Sequence, residues 1–173
     1  MANQPIHFDP EFSTYTYGDP TSPKAGLQRL LEGDMLVFYC GLEGWDFSSP
    51  PALYLLGYFE VLAAGKAGDF SESELQILFG ENYHVRHRKV YEEQKDKLVV
   101  VKGSPESRLL RRAVCISTTG KDRSGRPLKV LSPEMQAIFG DFDGRTSFQR
   151  SPTRWVKPAH AERSAEFVRA LSG

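Results

Sequence analysis

Residues 82–88, Asn82-Tyr83-His84-Val85-Arg86-His87-Arg88, put two imidazoles and two guanidiniums within one short polar segment. Histidine titrates near neutral pH, so His84 is a candidate general base, with Asn82 orienting it or its substrate. If the segment is extended, Asn82, His84, Arg86 and Arg88 share one face and His87 points away. The plainer alternative is a solvated or structural histidine. No metal centre is expected, because His84 and His87 have no carboxylate or cysteine at ligand spacing nearby.

A second group lies in Lys102-Gly103-Ser104-Pro105-Glu106-Ser107-Arg108, read as a strand passing through glycine into a helix start. The first amides of a helix lack partners within it and favour anions. Lys102, Ser107 and Arg108 are therefore candidate phosphate ligands. The segment is not a Walker loop, lacking the Gly-Lys-Ser/Thr ending. An ordinary Ser-Pro helix start with solvated charges reads the same residues equally simply.

A third group is aromatic. The alternation Ser13–Tyr17 places Tyr15 and Tyr17 on one face of an extended arm. Tyr39 ends an apolar strand, and the loop that follows carries Trp45 and Asp46; Asp34 stands at the start of the same strand. Rings for stacking and carboxylates for hydrogen bonds are what a pocket for a planar ligand such as a base requires. Residues 145–157 interleave cations with Phe148 and Trp155, which suits nucleic-acid backbones and stacked bases. It suits equally a coil that packs its rings inward and leaves its charges wet.

The elements that must position these residues are punctuated clearly. Ser22 and Pro23 open a first helix, Leu27, Leu30 and Leu31 share its face, and Gly33 provides a left-handed exit. Met35–Cys40 is continuously apolar, predicting a strand buried on both faces. Residues 52–61 form its partner strand. Ser71 and Glu74 make a capping box for a helix with Leu75, Leu78 and Phe79 inward. Leu98–Val101 is a short strand, residues 104–110 a brief helix, residues 113–116 a strand and residues 117–127 a loop. Helices follow at 132–140 and 159–171. Elements interspersed without a βαβ rhythm predict an α+β fold, a mixed, curved sheet or small barrel with four to five flanking helices. Residues 1–173 read as a single domain.

Composition bounds the rest. The 173 residues are 40% hydrophobic, 25% charged and 12% aromatic, ordinary for a soluble domain. No apolar run approaches the roughly 20 residues that span a bilayer. The N-terminus lacks the basic start and apolar core of a signal peptide, so a cytoplasmic location is expected. Cys40 and Cys115 lie in apolar runs and read as small buried hydrophobes. The net charge of zero conceals a division: residues 1–80 hold three basic against eleven acidic side chains, and the remainder nineteen against eleven. An anionic partner for the second half, or simple mutual neutralisation on one surface, would follow.

The order and spacing of four segments resemble a known family. These are Thr14-Tyr15-Thr16-Tyr17-Gly18-Asp19; Leu27-x-x-Leu30-x-x-Gly33-Asp34-x-Leu36-Val37-Phe38-Tyr39; Asn82-x-His84; and Val101-x-Gly103-x-x-x-Ser107-Arg108-Leu109-Leu110. Together they resemble nucleotide modification-associated domain 3, proteins associated with hypermodification of DNA bases, over residues 8–157. The strand pair between Gly33 and Val61 is similar, more loosely, to PUA-like barrels of the ASCH, EVE and YTH kind, which cage a base between rings. The resemblance implies a role in making, altering or recognising modified bases in DNA. It brings no established reaction, cofactor or oligomeric state with it.

The expected function is thus a nucleic-acid-associated domain that holds a nucleotide or flipped base. Tyr15, Tyr17, Tyr39 and Trp45 would stack, Asp34 or Asp46 would bond a base edge, and Lys102, Ser107 and Arg108 would take phosphate. The alternatives are an enzyme acting on free nucleotides or nucleotide sugars without DNA contact, and a structural partner in a modification or defence complex.

Overall fold

The computed structural model of the protein describes residues 9–43, 50–148 and 153–172. Among these, the strands and α-helices run β1 (Thr16–Asp19), β2 (Met35–Leu42), β3 (Ala52–Lys66), α1 (Glu72–Phe79), α2 (Tyr83–Arg86), α3 (Arg88–Gln94), β4 (Val99–Gly103), β5 (Arg108–Cys115), β6 (Ser117–Lys121), β7 (Pro127–Leu131), α4 (Pro133–Phe139) and α5 (Pro158–Ala170). Strands pair in the order β1-β4-β3-β2, with β5 also on β3, while β6 and β7 form a two-stranded sheet of their own. The expected α+β class holds, and the sheet is open, not a closed barrel. Two compact units divide the chain: Met1–Leu36 with Phe59–Ser107, and Val37–Tyr58 with Arg108–Gly173. β2 and β3 each run from one unit into the other.

In the first unit, Val99, Val100 and Val101 make β4 a fully buried strand between β1 and the second half of β3. β-branched residues suit this position because both faces of the pleat are packed. Ser71 caps α1 as expected: its hydroxyl accepts from the Glu74 amide at 3.3 Å, and the Glu74 carboxylate accepts from the Ser71 amide at 2.9 Å. Leu75 and Phe79 of α1 then close on Ala67, Leu98 and Val100, with Phe70, Leu78, Val85 and Tyr91 around them. This unit holds nine basic and fourteen acidic side chains.

In the second unit, β5 pairs with the first half of β3, burying Leu53, Leu55, Tyr58 and Leu110. Ser132 caps α4, and Gly140 leaves it at φ 84°. Phe139 meets Phe167 of α5 edge to face, and the Ser164 hydroxyl bonds the Ile138 carbonyl at 2.9 Å. Thirteen basic side chains stand against eight acidic ones here. The charge division expected between chain halves is therefore a division between structural units, at −5 and +5.

The structure departs from the sequence-based expectations at several places. Residues 104–110 form no helix. A tight turn, closed by the Ser107 amide on the Ser104 carbonyl at 3.1 Å, leads directly into β5. The Ser-Pro signal marks a turn as readily as a helix start. Residues 83–94 are two short helices and not an extended segment, since Asn82 caps the first of them. Residues 117–127 belong to a hairpin. The first helix is a 3-10 helix, Ser22–Arg29, preceded by Thr21 at the cap position, and Leu31 is 71% exposed past its end. Tyr15 has φ 52°, so β1 begins only at Thr16 and the Ser13–Tyr17 alternation breaks there. β2 is only partly buried, and Cys115 is exposed.

Candidate functional site

The site begins with an edge strand. Thr16 lies opposite Lys102 and Gly18 opposite Val100. Alternation therefore places Thr16, Gly18, Val100 and Lys102 on one face of the sheet. α2 lies against that face through Asn82, which is 1% exposed. Its Oδ1 accepts from the His84 amide at 3.1 Å, capping α2, and its Nδ2 donates to Thr16 Oγ1 at 3.3 Å. One buried side chain thus starts a helix and fastens it to β1. Gly18 faces the same pair: a Cβ there would sit 2.8 Å from Asn82 Oδ1 and 3.0 Å from His84 Cδ2. Only glycine permits that approach.

His84 is 6% exposed. Its ring Nδ1 lies 2.7 Å from Gln94 Oε1, a bond in which the amide oxygen accepts, linking α2 to α3. Its ring packs edge-on to Tyr83 at 5.5 Å.

A chain of hydroxyls leads away from Asn82. Thr16 Oγ1 accepts from Asn82 and lies 2.9 Å from Thr14 Oγ1, which donates to Glu11 Oε2 at 3.2 Å. Each hydroxyl has one proton, so Thr16 donates to Thr14 and the chain ends on the Glu11 carboxylate. The other Glu11 oxygen accepts from the Tyr83 amide at 3.2 Å. Beside this chain, Lys102 Nζ donates to the Thr14 carbonyl at 2.6 Å. Burial lowers the Lys102 ammonium below its usual range. A cleft of about 430 Å³ opens here, lined by residues 13–16, 76–78, 80, 81 and 102. Ile77, 78% exposed, gives it an apolar side.

At the outer edge of β1 the Gly18 amide donates to Asp9 Oδ1 at 3.4 Å, and the buried Tyr17 hydroxyl donates to Asp19 Oδ2 at 2.9 Å. Burial raises the Tyr17 hydroxyl well above its usual range, with Asp19 and Asp9 adding to it. Burial also lowers the Lys24 ammonium, against Asp19 and Asp9. The Asp9 carboxyl is pushed up to about 7, first by the loss of water around it, opposed by the Gly18 amide and Lys24, and aided by the charges of Asp19 and Glu11. The residue as a whole keeps an exposed surface, so the proton can exchange with solvent. A carboxyl raised on folding stabilises the fold below its unfolded value, and that contribution is lost as pH rises through the folded one. Thermal melts should show the wild type losing stability between about pH 4 and pH 7 relative to Asp9→Asn. Parallel curves for the two proteins would mean that Asp9 ionises normally.

The structure brings together Asn82, His84, Tyr15 and Lys102 from the expected set, and leaves the others apart. The Tyr17 hydroxyl is engaged by Asp19. Asp34 Oδ2 accepts from the Leu31 amide at 2.8 Å, closing its own turn. Ser107 is fully buried, and its Oγ accepts from the Glu60 amide at 3.1 Å; with no helix at residues 104–110, the amides of a helix N-terminus are absent there. Tyr39 and Arg108 belong to the second unit, where the Tyr39 hydroxyl donates to the Phe148 carbonyl at 3.2 Å. Trp45 and Asp46 lie outside the described residues. Of the cations expected at 145–157, Arg154 stacks on Phe148 at 5.7 Å and bonds the Ser147 carbonyl, while Lys157 pairs with Asp143.

Thr14 and Thr16 alternate with Tyr15 and Tyr17, and their β-propensity masks their hydroxyls. Glu11, Asp9, Lys24 and Gln94 carry no motif; only folding gathers them.

One protein-family model, described as nucleotide modification associated domain 3, matches residues 1–170. No curated protein and no solved structure matches the chain.

Proposed function

Because the chain belongs to the nucleotide modification associated domain 3 family, we propose that its first unit holds a nucleotide or a flipped, modified base in the cleft beside Thr14, Thr16 and Lys102. The family description associates the chain with nucleotide modification; the ligand and its place are our reading. The observation that carries it is the cleft itself. Its volume of about 430 Å³ falls within the range of small-ligand pockets. Its wall is the Thr14–Thr16 stretch of the family-like segment, and it contains a cation that makes one hydrogen bond and no ion pair among the described residues.

In this reading Lys102 takes the phosphate, Ile77 and Tyr15 cover the base, and the Thr14 and Ser13 hydroxyls bond polar edges. Glu81, on the same wall, faces the sugar or base and not the phosphate, since like charges repel. Asn82 and His84 hold the wall from behind. From the β1 side no substrate reaches the His84 ring, since even a Cβ at Gly18 would crowd it.

Calorimetric titration with deoxynucleoside monophosphates, plain and 5-modified, tests the proposal. A charge-assisted bond is worth about 1.5–3 kcal/mol, so Lys102→Met should weaken binding roughly 10- to 100-fold. Lys89→Met, an exposed cation elsewhere in the unit, should leave it unchanged. The proposal fails if no monophosphate binds the wild type or if Lys102→Met binds as well.

A further inference from the structure

Residues 108–131 carry seven cations and one carboxylate, Asp122. That carboxylate is engaged in its own turn: Oδ1 accepts from the Ser124 hydroxyl at 2.7 Å and from the amides of Ser124 and Arg126 at 2.8 and 2.9 Å. Among the described residues, no carboxylate lies within 4.0 Å of the charged groups of Arg111, Arg112, Lys121, Arg123 or Arg126. All five residues are exposed. Such a concentration of unpaired cations is held against its own repulsion only by the fold, and an anionic partner would relieve it.

The shape is as specific as the charge. β6 and β7 form an antiparallel ribbon, in register from Ser117 opposite Leu131 to Lys121 opposite Pro127. The base of the ribbon is fastened: the Leu131 amide bonds the Thr146 carbonyl at 2.8 Å, and the Ile116 amide bonds the Leu53 carbonyl at 2.8 Å. The far end is closed by the Asp122 turn, with Gly125 at φ 79°, and presents Lys121, Arg123 and Arg126. On β5, the register shift opposite Leu55 and Gly57 sets residues 110–113 against Leu56 alone. In this bulge the consecutive Arg111 and Arg112 are both exposed.

The geometry points to a second binding surface, on the second unit: the β6–β7 ribbon enters the major groove of double-stranded DNA, with Lys121, Arg123 and Arg126 on the phosphates. A two-stranded ribbon fits the groove of B-form DNA, which is about 12 Å wide. The deep, narrow major groove of A-form RNA does not admit it. The hydrogen-bonded tip is ordered before contact, so binding loses little conformational freedom. Arg111 and Arg112 are further cations of the same unit. The inference stands without the nucleotide cleft.

Anisotropy of a labelled DNA duplex of about 20 base pairs, titrated with the full chain across a salt series, tests it. Each phosphate contact contributes about 0.9 to the log–log salt slope. The double variant Arg123→Gln, Arg126→Gln should therefore lower the slope by about 1.8 and weaken binding on the order of a hundredfold at about 50 mM salt. Its melting temperature and its monophosphate titration should match the wild type, because neither side chain has a partner among the described residues. Lys89→Gln with Lys97→Gln removes the same charge from exposed positions of the first unit and should change neither slope nor affinity. The inference is overturned if the wild type binds no duplex at low salt or if the ribbon variant keeps the wild-type slope. It is overturned equally if duplex RNA or single-stranded DNA of the same length binds as tightly as duplex DNA. Loss of monophosphate binding alone would count against the cleft and leave the ribbon standing.

Discussion

Gly103→Ala should yield little folded protein. A Cβ at this position would lie 2.9 Å from the Cβ and Cγ of Phe59, and closer still to the Ser107 hydroxyl. Neither neighbour can withdraw. Phe59 is fully buried, with Phe12 and Tyr15 rings edge-on to it at 5.3 and 6.0 Å. Ser107 is fully buried too and accepts from the Glu60 amide at 3.1 Å. Overpacking of this kind costs about 1–3 kcal/mol, and an unpaired buried amide adds about 1–3 kcal/mol. Their sum is a large fraction of the roughly 5–15 kcal/mol that holds a domain folded. The consequence reaches the cleft, because the Gly103 amide donates to the Tyr15 carbonyl at 2.7 Å and Lys102 is its neighbour. Urea unfolding measures the loss. Adding Ser107→Gly should restore part of it by removing one of the two obstacles. A Gly103→Ala midpoint equal to that of the wild type would show that the strand can shift without cost.

The second large effect is expected at Asn82. Asn82→Ala deletes the cap of α2, worth about 1 kcal/mol, and leaves a cavity and a broken hydroxyl chain on the face of β1. Stability should fall by about 2–4 kcal/mol, or roughly 5–15 °C in melting temperature for a chain of this size. Asn82→Asp separates the two roles. It keeps an acceptor for the His84 amide but loses the donor to Thr16 and buries a charge, so it should be no more stable than Asn82→Ala at neutral pH and recover as the carboxyl protonates in acid. A melting temperature for Asn82→Ala within a degree or two of wild type would reduce Asn82 to a bystander.

Much of the scaffold was legible in the sequence because its signals are local. The Ser71–Glu74 capping box, the Ser132-Pro133 helix start, the left-handed Gly33 at φ 86° and the valines of β4 each act through neighbours within a few residues. Where local signals were ambiguous they misled: Ser104-Pro105 suits a turn or a helix, and only the pairing of β5 with β3 decides between them. Asn82 and His84 stood out by residue type, yet their surroundings did not. Asn82 bonds Thr16 across 66 positions, and Lys102 bonds Thr14 across 88.

What the sequence determined by itself was the α+β class, the principal helix caps, the family likeness and an excess of cations in the second half. Only the tertiary structure decided that Gly18 must be glycine because Asn82 and His84 press against it. It alone aligned the Thr14 and Thr16 hydroxyls into a chain beside Lys102, and divided the charge between two units. It also turned residues 117–131 into a ribbon with a basic tip. The reason is physical: caps and turns are satisfied by the nearest backbone groups, whereas the approach of side chains distant in sequence is fixed by which strands pair and which faces they bury.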